Sequence, residues 1–92
     1  MVESNAENGG PNSGSVDFSG LILGFSSAAL YYMGEATVEG RPPQKNLPLA
    51  RQNIEFIRLL QTKTKNNLLP EEDRLIRQLI HDLQLKMIEV SR

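Results

Sequence analysis

The chain has no cysteine among its 92 residues. Disulfides, thiolate nucleophiles and cysteine-based zinc sites are therefore excluded. There is no tryptophan, with three phenylalanines and two tyrosines, so little aromatic mass is available for a core. The one histidine, His81, rules out a His-pair metal motif, and its neighbour Asp82 points about 100° away on a helix, which is no ready dyad. Walker loops and dinucleotide fingerprints are also missing. Gly20 and Gly24 are followed by no Lys-Ser/Thr and lie in an apolar run, so they do not build a phosphate loop. No catalytic residue, metal ligand or cofactor-binding residue is expected.

Charge is balanced rather than absent. Ten Lys and Arg against eleven Asp and Glu give a net charge of −1, which predicts no strong electrostatic partner. Glu3 and Glu7 are the charges of the first sixteen residues, so the remainder is close to neutral. No basic stretch followed by an apolar run opens the chain, so a cytosolic protein is expected. The length allows one domain, marginal in stability if it stands alone.

One segment lacks charge altogether. Phe18–Gly34, FSGLILGFSSAALYYMG, has no ionisable group except its two tyrosines. At helical spacing Phe18, Leu21, Ile22, Phe25, Ala28, Ala29, Tyr32 and Met33 share a broad apolar face. Asp17 is suited to N-cap the helix and Gly34 to end it in the left-handed conformation. The opposite side shows Gly20, Gly24, Ser27 and Tyr31, flanked by Leu23 and Leu30. A helix apolar nearly all round needs cover on more than one side, and a second copy of the chain is the candidate. Gly20, Gly24 and Ala28 fall four apart, a spacing that lets two helix backbones approach closely. The plainer reading is that the glycines admit a neighbouring helix of the same chain. Glycine inside a helix costs about 0.5–1 kcal/mol against alanine, so retaining two favours the seam. Membrane insertion is the weaker alternative. The run is shorter than the ~20 apolar residues a span needs, and Asp17 and Glu35 flank it.

Residues 1–16, rich in Gly, Asn and Ser, have almost nothing to bury and are expected to be a disordered tail. Residues 35–46 read as a loop broken by Gly40 and Pro42–Pro43. A second helix is expected over 47–65, capped by Asn46 with Pro48 in its first turn. Leu49, Ala50, Ile54, Phe56, Ile57 and Leu60 form its apolar face, with Asn53 and Thr64 near the middle of it. Asn53 either fixes helix register or bonds to backbone. Asn66 or Asn67 is placed to end this helix in the left-handed region. Pro70 then opens a third helix over 70–90. Glu71, Glu72 and Asp73 in its first turn complement the helix dipole, which accounts for that acidic run without a metal. Ile76, Leu79, Ile80, Leu83, Met87 and Val90 line its inner face. Leu85 and Ile88 point outward, a second and weaker contact candidate, since single exposed leucines are common.

Arg51, Arg58 and Lys65 recur every seven residues and make a basic ridge, the footprint of a nucleic-acid alternative. Glu55 interrupts that ridge, and Glu71, Glu72 and Asp73 would lead the third helix into a groove with the wrong charge. Ordinary pairs along one helix explain the same residues.

Asp17-Phe18, Gly34-Glu35, NLPLARQNIEFIRLLQTKTKNNL and PEEDRLIRQLIHDLQLKMIEV occur in an order that resembles a family of small bacterial proteins, domain of unknown function number eighteen forty-four. The resemblance spans about residues 17–90. It implies a bacterial, cytosolic, all-helical protein and carries no activity. Two positions depart from the family pattern. Asn66 stands where Gly is frequent, and Leu69 stands where a Thr or Ser cap precedes Pro-Glu-Glu, so the third helix should start less firmly.

The expected molecule is all-α, with three helices over 17–92 completed by homodimerisation. Gly20, Gly24, Ala28, Tyr31, Leu85 and Ile88 are the self-association candidates. The function expected is a non-enzymatic oligomerising adaptor or regulator, with a partner protein as a further candidate.

Overall fold

The computed structural model describes residues 17–37, 39–42 and 44–92. The expected tail over 1–16 and the second proline of the loop lie outside the described residues. Three helices follow in order: α1 (Phe18–Met33), α2 (Leu47–Lys63) and α3 (Pro70–Ser91), and no strand occurs among the described residues.

Helix α1 starts where its cap dictates. Asp17 is extended, and its carboxylate accepts from the Gly20 N–H at 2.7 Å. The helix ends at Gly34, φ 84°, where Gly34 N–H reaches Tyr31 O at 3.0 Å and Glu35 N–H reaches Leu30 O at 2.9 Å. That pair of bonds satisfies carbonyls that would otherwise be orphaned. Helix α2 is capped by Asn46, whose side-chain oxygen accepts from Leu49 N–H at 3.1 Å. It stops two residues earlier than the sequence predicts. Thr64 turns its hydroxyl onto Leu60 O at 2.6 Å, and Asn66 takes the left-handed conformation at φ 71°. Asn66 thus does at a cost what glycine does freely, and asparagine tolerates it through its short polar side chain.

Helix α3 has half a capping box. Leu69 offers no side-chain acceptor, so no amide of the first turn is capped from that residue. The Glu72 carboxylate still accepts from Leu69 N–H at 2.8 Å.

The helices run up, down and up. Asn46 N–H donates to Tyr32 O at 2.7 Å, which joins the start of α2 to the end of α1. Phe25 stacks on Phe56 with ring centroids 5.2 Å apart midway along the same pair. The core lies between the three helices: Ile22, Ala29 and Met33 from α1, Ala50, Ile54 and Ile57 from α2, and Ile76, Leu83 and Met87 from α3. Ser26 is also buried, a small residue on the inner side of α1.

One expectation about the core is corrected here. Phe56 is not in the core; it is 38% exposed, at an edge of α2 where Phe25 shields one side of the ring. Of the two readings of Asn53, the structure shows the backbone partner, which lies in the same helix. The Asn53 side-chain nitrogen donates to Leu49 O at 2.9 Å.

Supplying the missing cap should firm up α3. Leu69 is exposed, so Leu69→Ser loses little burial and adds an acceptor for a first-turn amide. The expected gain is about 1 kcal/mol, read as a higher urea midpoint at unchanged slope.

Candidate self-association surface

The outer side of α1 is an apolar strip without charge between two leucine walls. At about 100° per residue, Leu23, Ser27, Gly20, Gly24, Ala28 and Leu21 follow one another around this side. Leu21 is 47% exposed and Leu23 45% exposed. Gly20, Gly24 and Ser27 are exposed and Ala28 is half-buried. Leu21 therefore belongs to the outer surface rather than the inner face assigned from its spacing. Leu30, expected as a flank of this strip, instead packs partly against the core.

The two glycines differ in what the fold asks of them. A Cβ on Gly20 would come within 3.0 Å of the Asp17 carboxylate oxygen that caps the helix. Gly20 is thus accounted for by the cap. A Cβ on Gly24 would meet nothing within 4 Å. Nothing inside the described chain requires glycine there, although glycine costs helix stability.

Tyr31 closes the C-terminal end of the strip. It was expected as part of an exposed seam, but it is 4% exposed. The loop after α1 folds back over it. The Tyr31 hydroxyl donates to the Pro42 carbonyl, Tyr32 packs edge-on at 5.2 Å between centroids, and the Arg41 guanidinium lies 6.0 Å from the ring centre. The open part of the strip therefore runs from Gly20 to about Ala28. It continues sideways, past Leu21 and Phe25, to Phe56 and to Leu59, which is 52% exposed. Sequence reasoning missed this extension. Its signal was present, since Gln52 and Lys63 share the α2 edge with Phe56 and Leu59, and polar residues at helical spacing mark an edge in water.

The second candidate is less continuous. Leu85 and Ile88 are 52% and 59% exposed. They stand among His81, Gln84 and Glu89, all exposed. Ile88 also rims a shallow groove with Arg51, Glu55 and Met87. His81 lies on this outer side of α3.

The basic ridge is partly neutralised. Arg51, Arg58 and Lys65 are all exposed. Arg58 pairs with Glu55 at 3.8 Å, and Lys65 sits in the turn beyond α2. On α3, Arg77 pairs with Asp73 one turn earlier, and Lys86 reaches Glu35 at 3.4 Å. Such exposed pairs contribute about 0–1 kcal/mol each. Among the described residues no three His, Asp or Glu side chains gather as a metal set, and no helix is long and apolar enough to cross a membrane.

The described residues thus form an all-helical domain in which one helix keeps an exposed side without charge. The chain belongs to the family described as a domain of unknown function (DUF1844), whose model matches residues 15–89. No curated protein and no solved structure matches the chain.

One substitution should act with opposite sign at two glycines. Gly24→Ala should raise stability by about 0.5–1 kcal/mol, because the new methyl meets open space and the helix gains propensity. Gly34→Ala should lower it by about 1–2 kcal/mol, because φ 84° forces a Cβ into strain. Urea denaturation at the lowest protein concentration that gives a signal checks both.

Proposed function

We propose that this domain is a non-enzymatic self-associating module of the cytoplasm, an adaptor or regulator whose working unit is a homodimer formed through the outer side of α1. The observation that carries this reading is the open Gly24 between exposed Leu21 and Leu23 on a helix with no charge. A glycine that its own chain does not need is explained by the close approach of another helix. The neighbouring apolar edge supports it, because Phe25, Phe56 and Leu59 extend the same surface onto α2. Size supports it too. A chain this small buries a modest share of its surface alone, and association adds apolar burial.

Light scattering on the full chain over a dilution series is the direct test. A dimer persisting to low micromolar concentration is expected. Gly24→Leu should weaken it at least tenfold, while Leu85→Ala should change it less than twofold, as expected when tight backbone contact is blocked at one site and a peripheral side chain is trimmed at the other. The reverse order would move the interface to α3. Retention on heparin that falls steeply with salt would favour the nucleic-acid alternative through Arg51 and Arg58 instead.

A further inference from the structure

The outer side of α1 carries opposite charges at its two ends. Asp17 caps the N-terminal end, and the Arg41 guanidinium lies over Tyr31 at the C-terminal end. Gly24 sits midway. Asp17 is seven residues before it and Tyr31 seven after it. Seven residues make nearly two full turns, so Asp17, Gly24 and Tyr31 share one side of the helix, with about 10.5 Å along the axis in each direction.

That symmetry constrains how two such faces can meet. Side by side in the same direction, the helices would bring Asp17 against Asp17 and Arg41 against Arg41. Run in opposite directions about Gly24, they bring each Asp17 to the other copy's Tyr31 and hence to its Arg41. The helix dipoles also oppose each other favourably in that arrangement. Between the charged ends, Leu21 and Leu23 and the small residues of the strip provide apolar contact without a charge to desolvate.

We infer that the second copy docks with its α1 antiparallel to the first, with Gly24 at the two-fold axis and an Asp17–Arg41 pair at each end. This rests on the self-association reading and adds the orientation and the residues that set it. Apolar contact around Gly24 supplies the affinity, and the two charge pairs select the direction, as charge complementarity does at interfaces generally.

The orientation can be read by cysteine cross-linking, because the natural chain contributes no thiol. Leu21 and Ser27 are exposed and lie three residues either side of Gly24. Antiparallel pairing sets position 21 of one copy against position 27 of the other. Two cysteines at position 27 would then be about 9 Å apart along the axis, too far for a disulfide. The full-length Leu21→Cys and Ser27→Cys variants are mixed, allowed to exchange and oxidised with copper phenanthroline. Mass spectrometry then counts the linked species. The mixed dimer should exceed the two self-linked dimers together by about fivefold, as the bridging geometry requires. Dominant self-linking would show parallel helices and overturn the orientation while leaving self-association intact. A dimer by light scattering that forms neither link would place the interface elsewhere. A monomer at all concentrations would remove the self-association reading itself. Arg41→Glu gives an independent readout. It should raise the dimer dissociation constant about three- to tenfold at low salt, with the difference shrinking as salt screens the charges. No change would remove the Asp17–Arg41 pair.

Discussion

The structure depends on one constraint, the burial of a helix that has no charge to show to water. Helix α1 brings Ile22, Ala29 and Met33 to the core, and α2 and α3 cover that side with Ala50, Ile54, Ile57, Ile76, Leu83 and Met87. Two helices can cover little more than one side of a third. What they leave open on α1 is as free of charge as what they cover. Helices α2 and α3 have no such difficulty. Their outer sides carry Arg51, Arg58, Arg74, Arg77 and their acidic neighbours, the usual solvated surface of an amphipathic helix.

The loop between α1 and α2 settles part of this. It returns over the end of α1, where Pro42 accepts from Tyr31 and Asn46 N–H bonds to Tyr32 O. Glu35, just past the helix, meets Lys86 of α3 at 3.4 Å. These contacts tie the end of α1 to both other helices. They also convert an all-round apolar helix into one that is closed at its C-terminal end and open over its first half. The size and shape of the remaining surface are thus a consequence of where a proline-containing loop was able to fold back.

Much of this was legible from local chemistry. Asp17, Gly34, Asn46 and Pro70 mark helix ends because their side chains or backbones solve the terminal hydrogen-bonding problem at short range. The start and end of α1 and the starts of α2 and α3 follow from them directly. The end of α2 was read two residues long, because the sequence does not show that Thr64 would bond back to Leu60 O. The side a residue faces was harder. Phe56 and Leu21 are apolar and lie at the margins of their stripes. Whether a margin is core or surface depends on the distance between helices, which periodicity does not encode. Tyr31 shows the converse. It lies on the outer side of α1 by spacing, yet it is buried, because the loop that follows α1 returns over it. Gly24 was identified as unusual from its type. Distinguishing it from Gly20 needed coordinates, since the Asp17 carboxylate stands over one position and nothing stands over the other.

That distinction also bears on how a small domain divides its stability between folding and association. Alanine at position 24 would improve the helix and crowd nothing in the chain. Keeping glycine there makes the isolated fold weaker than the same backbone allows. A chain that functions as a monomer gains nothing from that loss, whereas a chain that pairs through this helix recovers it as closer contact between two backbones. Leucine walls, rather than charges, border the strip, so contact there removes apolar surface from water without stripping a charge. Asp17 and Arg41 stand at the strip's two ends, where water can still reach them and where they cost little to bring together. In the proposed dimer, this layout would place attraction in the middle and directional preference at the rim, the division of labour that a self-complementary surface requires.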